Sequence, residues 1–204
     1  MGEIDLRAAG RTIRPDKVVP LLTGVQEGWI DDDTPSAREE LHRAGFVVQS
    51  VTAGRTAHSR RKTTVDVVCR DARIAGLPWH TLVQLLGLAM ARRKLGIAPL
   101  SGWKPQPEKH VMYDRARKRF VRMVVHDGVW DEYGRDGLVR TWLLEYSHAE
   151  FERARLREKI LRFGPNPQLW VTPSAAHGCV IEDLLDELFP DVARRVVIVD
   201  WTGG

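Results

Sequence analysis

The stretch "HDGVWDEYGRDGLVRTWLLEYS", residues 126–147, decides how the second half of the chain folds. Two β-prone runs flank "YGRDG", a Gly- and Asp-rich turn signal, and this pattern predicts an antiparallel hairpin. The second run is apolar until Glu145, and core strands rarely carry an unpaired charge. A second acid, Asp127, opens the first run. A turn centred near residue 135 puts Asp127 opposite Leu143, one cross-strand diagonal from Glu145. A centre at 136 puts the two acids directly opposite. A centre midway between them sends the acids to opposite faces, because a one-residue slip inverts the pleat.

Converging carboxylates repel and raise each other's proton affinity unless a cation joins them. Mg²⁺ suits such a pair, because it accepts one or two carboxylates with waters completing its shell. A neighbouring Lys can then orient a water or stabilise a phosphate oxyanion. Lys159 is the candidate, on the helix predicted over "HAEFERARLREKILRFG" and closed by Gly164 and Pro165. At about 100° per residue from Leu156, Ile160 and Phe163 fall within about 40° and define the packed stripe. Lys159 falls about 60° to one side, with Glu152 about 40° round on that side. The competing reading leaves Lys159 on a solvated face with Arg153, Arg155, Arg157 and Arg162.

Outward from the hairpin, "KRFVRMVV" (118–125), "QLWVTP" and "RRVVIVDW" read as strands and "CVIEDLLDELF" as a helix. Helix, strand, strand, strand, helix, strand, helix, strand, counted from residue 77, predicts a mixed α/β sheet flanked by helices. The first of these helices, "LPWHTLVQLLGLAMARRKLGI" (77–97), carries an apolar stripe of Leu82, Leu85, Leu86, Ala89 and Met90. His80 reads as a helix residue rather than a ligand. The Pro-rich "APLSGWKPQPEKH" reads as a connector, and the boundary between two halves is expected close to it.

The first part reads as small helices followed by a hairpin. "DKVVPLLTGV" is a short apolar-periodic piece broken by Pro20. "DDDTPSAREELHRAGF" carries a helix start at Asp33 or Thr34 with Pro35 in the first turn, and Gly45 ends it. "FVVQSV" and "TTVDVVC" flank a basic loop holding Arg55, His58, Arg60, Arg61 and Lys62. Helix, then basic-tipped hairpin, suggests a winged helix-turn-helix. The helix bearing Arg38, His42 and Arg43 would approach the major groove, and the wing would follow phosphates. An ordinary surface hairpin with a solvated charge run remains the other reading.

The bulk numbers agree with a folded, DNA-compatible chain. It has 204 residues, 43% hydrophobic, with net charge +4 and a pI near 9.3. Of the 31 basic residues, 24 are Arg, which suits bidentate phosphate contacts, although a GC-rich genome also produces Arg. Cys69 and Cys179 make neither a CxxC nor a disulfide framework. No signal peptide is expected, because the charged start lacks an apolar core, and no apolar run reaches eighteen residues. A soluble, cytoplasmic chain with no membrane partner is the expectation. Phosphate loops, HExxH and the Ser nucleophile elbow are absent from the sequence. Ser147 and His148 are strand neighbours on opposite faces, so no dyad is expected there. His126 and His177 are secondary candidates to join Asp127 at a metal, and Asp131 and Asp136 read as turn chemistry.

With Asp127, Glu145 and the helix behind them in place, the chain resembles the PD-(D/E)XK nuclease-like core. More narrowly, it resembles the replication-relaxation family of plasmids and mobile elements. The similar stretches are "HDGVWDEYGRDGLVRTWLLEYS", "REKILRFG" and "LWVTPS", with "LPWHTLVQLLGLAMARRKLGI" and "GWKPQPE" before them, spanning roughly residues 15 to 190. The resemblance implies an N-terminal winged helix over 1–76 and a restriction-endonuclease-like α/β domain over 77–204. It implies Asp127 and Glu145 as metal ligands, with Asp127, Glu145 and Lys159 as the catalytic set. The chain departs from the pattern at His126, which replaces a Pro, and at Ser147, where the nuclease signature has Lys.

The function expected is therefore that of a DNA-binding protein of a plasmid or mobile element, with a nuclease-like domain that is either active or catalytically degenerate. The alternatives are a Mg²⁺-dependent DNA endonuclease using Asp127, Glu145 and Lys159, and a non-enzymatic scaffold of a phage or larger complex. Duplex DNA is the expected partner, contacted by Arg38, Arg43, Arg55, Arg60, Arg61 and Lys62. A homodimer or a partner protein is left open.

Overall fold

The computed structural model describes residues 17–21, 35–54, 62–97, 102–105, 109–114, 119–124, 126–147 and 152–199. It is a mixed α/β protein in two compact units, divided between residues 100 and 101. No described helix is long and apolar enough to cross a membrane.

The first unit holds β1 (Val18–Pro20), α1 (Pro35–Arg43), β2 (Val47–Gly54), β3 (Lys62–Cys69), α2 (Ala72–Ala75) and α3 (Trp79–Lys94). Its three strands form an antiparallel sheet in the order β1-β3-β2. The expected hairpin is present, paired from Val47↔Cys69 to Gly54↔Lys62. Gly45, at φ 89°, ends α1 as the sequence suggests, in a backbone region where a Cβ is strained. The piece around Val18 and Val19 is a strand rather than a helix. Pro20 tolerates this place because β1 is an edge strand, where a missing N–H breaks no inner ladder.

Helix α3 belongs to this first unit, not to the region from 77 onward as the sequence division has it. The reason is packing: Ala89 lies in one core with Val19, Leu21, Leu41, Phe46 and Val68. Its burial also exceeds a single stripe, since Val83, Gly87, Leu88 and Ala91 are buried alongside Leu82, Leu85 and Leu86. Met90 is only half-buried. Arg92 is buried too, and its guanidinium donates to the Ile97 carbonyl at 2.5 Å, closing the helix end.

The second unit holds β4 (Trp103–Lys104), β5 (Lys109–Asp114), β6 (Arg119–Val124), β7 (Gly128–Gly134), β8 (Gly137–Tyr146), α4 (Arg153–Phe163), β9 (Gln168–Thr172), α5 (Ala175–Leu188) and β10 (Arg194–Ile198). Five strands form one sheet in the order β10-β9-β8-β7-β4, and β5 and β6 pair separately as a hairpin. The sheet is mixed. β7 is antiparallel to β8 and β4, while β8, β9 and β10 run parallel through the crossovers α4 and α5. β9 is buried along its whole length, as a parallel strand covered on both faces must be. Leu143, Trp170 and Val196 pack with Leu156, Ile160 and Phe163 of α4 and Ile181, Leu184 and Leu185 of α5, so both helices cover one face. Trp142, Leu144, Leu169, Val171 and Val197 fall on the other face by alternation.

Candidate functional site

The turn predicted at 133–137 is present. Gly134 pairs with Gly137 around Arg135 and Asp136, so its centre lies midway between residues 135 and 136. Left uncorrected, that register would separate the two acids. A β-bulge corrects it. Tyr133 pairs with Leu138 but Glu132 pairs with Arg140, so Val139 is the extra residue, and the ladder then runs to Gly128↔Leu144. One position further, Asp127 and Glu145 share a face.

Asp127 leaves the ladder at this point. Its N–H donates to the Leu144 carbonyl at 2.8 Å, and its Oδ2 accepts from the Tyr146 N–H at 2.9 Å. Its charge acts on the Glu145 carboxyl, and the Lys159 ammonium donates to Glu145 Oε1. Three elements thus deliver Asp127, Glu145 and Lys159 to one place, as the sequence reading requires. Lys159 stands beside the α4 stripe and turns to the sheet rather than out with the arginines. Of those, Arg153 and Arg157 pair with Glu187, and Arg162 with Glu158.

The site is deeply set. Glu145 is 1% exposed and Asp127 4%, while the Lys159 side chain is 27% exposed. Burial raises both carboxyls above the ordinary carboxylate range, Glu145 well above it. The Asp127 charge adds to the rise at Glu145, and the Lys159 ammonium opposes it at both. Glu145 Oε2 has no hydrogen-bond donor among the described residues. One proton held on Glu145 and shared with Asp127 satisfies that atom. A divalent cation is the other group that would satisfy it, and two adjoining carboxylates fit the oxygen preference of Mg²⁺. No cluster of three or more His, Cys, Asp or Glu suited to a metal occurs among the described residues. Asp127 and Glu145 would therefore hold the ion with waters.

The secondary candidates fall differently. His177 joins Ser147, whose Oγ lies 2.9 Å from its Nε2. His126 is buried beside Asp127 and lowers the proton affinity of that carboxyl. Asp131 bonds Lys104 and Thr141, at 2.7 and 2.8 Å. His80 is exposed, edge-on to Trp79.

Among the residues expected to meet DNA, Arg38 is held by Asp66 at 2.7 Å, and Ser50 shares that carboxylate. This contact turns Arg38 toward the hairpin. Arg43 and His42 are exposed at the end of α1. Arg55, His58, Arg60 and Arg61 lie outside the described residues, as does the side chain of Lys62, whose backbone opens β3.

The sequence reading did not foresee the Ser147–His177 pair. Its only signals were a hydroxyl two residues past Glu145 and a His three residues past the N-cap Ser174. No protein family, curated protein or solved structure matches the chain.

Proposed function

We propose that the chain is a DNA-binding protein whose second unit hydrolyses phosphodiester bonds with Mg²⁺ held by Asp127 and Glu145. The observation that carries this reading is the convergence of Asp127, Glu145 and Lys159, from three elements, at one end of the β7–β8 hairpin. Asp127 and Glu145 would hold Mg²⁺, whose chemistry there would be Lewis-acid polarisation of a phosphoryl oxygen. Lys159 reaches the site from α4 and would donate to a phosphate oxygen as negative charge develops there. Asp127 fixes the end of β8 by capping the Tyr146 N–H, which holds Glu145 in place.

DNA binding draws support from the first unit. Helix α1 is followed by a hairpin, with a short strand on its far side, whose connecting segment carries Arg55, Arg60 and Arg61. This order is compatible with a winged helix. The association with plasmids or mobile elements rests on the sequence resemblance alone.

The test is conversion of supercoiled plasmid to open circles in Mg²⁺. The parent chain is expected to nick, and Glu145→Gln to nick about 10²-fold less or worse with unchanged thermal unfolding. Equal nicking by both removes the assignment. A second reading, DNA binding without cleavage, is favoured by the burial of both carboxyls and their raised proton affinity. It predicts a parent that binds duplex DNA and leaves it intact.

A further inference from the structure

The nuclease reading leaves one buried pair unused. Ser147 lies two residues beyond Glu145, on the same face and about 6.6 Å further along the strand direction. Its N–H still follows the sheet, donating to the Val171 carbonyl at 2.8 Å. Its hydroxyl is fully buried, 2.9 Å from Nε2 of His177, which is 8% exposed. Helix α5 brings the imidazole there. Ser174 caps the helix by accepting from the His177 N–H, and Gly178 lets the first turn approach the sheet closely. A Cβ on Gly178 would lie 2.6 Å from Ile198 Cδ1 and 3.7 Å from Thr172 Cγ2.

We propose that Ser147 and His177 form a proton relay serving the Asp127–Glu145–Lys159 site, with the imidazole as the final proton acceptor. The inference rests on the phosphodiesterase reading above. Lys159 donates to Glu145 Oε1, which leaves the base to be found elsewhere. Hydrolysis nevertheless needs an acceptor for the proton of the attacking water, a role His fills most often. Burial lowers the proton affinity of His177, so the imidazole is neutral near pH 7 and has a lone pair to offer.

Charges on the elements packed against α5 leave this state undisturbed. Arg153 and Arg157 of α4 end on Glu187, and Arg194 of β10 ends on Asp186, all at the far end of α5. Arg195 of β10 lies over the Trp130 and Trp142 rings, and β9 has no ionisable side chain.

In the step itself, Ser147 Oγ takes a proton from water while passing its own to His177 Nε2. The hydroxide oxygen so formed bonds to phosphorus. The P–O ester bond breaks, its electron pair leaves on the departing oxygen, and solvent supplies that oxygen with a proton. His177 later returns its proton to solvent. Ser147 and His177 are positioning and relay groups, and neither forms a covalent intermediate.

Two measurements test the relay. In the metal-free protein at pH 7, the ¹⁵N shifts of His177 should report a neutral ring protonated on Nδ1, with Nε2 accepting from Ser147. A ring protonated on Nε2 overturns the inference. In the plasmid assay, His177→Gln keeps a hydrogen bond to Ser147 but cannot carry a proton. It should nick about 10²-fold more slowly than the parent with unchanged DNA affinity and thermal unfolding. Imidazole added to His177→Ala should restore part of the rate. A His177→Gln variant that cuts within threefold of the parent overturns the relay and leaves the nuclease reading standing. A parent that cuts under no condition overturns both.

Discussion

Glu145 holds a proton more tightly in the folded chain than in the unfolded one, because burial and the Asp127 charge both penalise its ionised form. Folding therefore takes up a proton. The stability contributed by this group is fully present below its ordinary value of 4.5 and is lost as pH rises through its own raised midpoint. The thermal midpoint of the second unit is expected to fall across that interval. It should fall less in Glu145→Gln, which has no proton to lose. Identical slopes in melts run across pH would remove Glu145 as the cause. At this scale the sequence was informative for Glu145 and Lys159. An acid ending an apolar run and a Lys offset from a helix stripe are local features. Ser147 and His177, thirty positions apart, meet only through the parallel crossover, and no local periodicity carries that information.

Among the elements, the β7–β8 hairpin is tied on its outward half by Glu132. Its Oε2 accepts from Trp142 Nε1 at 2.9 Å and lies 3.2 Å from Arg140 Nε, while its Oε1 lies 3.6 Å from Arg195. Trp142 stacks on Trp130 with ring centres 5.7 Å apart, and the Arg195 guanidinium lies 5.0 Å from the Trp142 ring. Glu132→Ala leaves a buried indole N–H without its acceptor. It should lower stability by about 1–3 kcal/mol, read from the denaturant midpoint; no change would show that the carboxylate is dispensable. The strands and helices from β6 to β10 were legible from β-prone runs between turn signals and from helical apolar stripes. β1 was not, since three residues are too few to show a period. β4 was hidden in the segment read as a Pro-rich connector, which also took in the first two residues of β5, and the bulge was hidden because Val139 looks like any strand residue.

For the whole molecule, the testable consequence is electrostatic. The chain carries a net charge of +4, and its basic residues include the cluster at 55–62. Neutralising phosphates with these side chains releases counterions, so duplex affinity should fall steeply between about 50 and 200 mM salt. Replacing Arg55, Arg60, Arg61 and Lys62 by Ala should reduce the log–log slope by up to about 3.6, at about 0.9 per lost phosphate contact. An unchanged slope would move the DNA contact elsewhere. A division close to the Pro-rich connector was legible from composition, but the side of it on which α3 packs was not. The apolar face of α3 gives no sign of which neighbour it packs on, and only the shared core with Val19 and Phe46 assigns it.

The unpaired Val139 is slack in the hairpin. A chain lacking it could close the same tip with Glu132 still opposite Arg140, and the two acids would keep their common side. A residue inserted between Arg140 and Glu145 has no such outlet while the ladder from Glu132↔Arg140 is kept, and it would drive Asp127 and Glu145 to opposite sides of the sheet. Length is thus forgiven near the tip and punished nearer the acids.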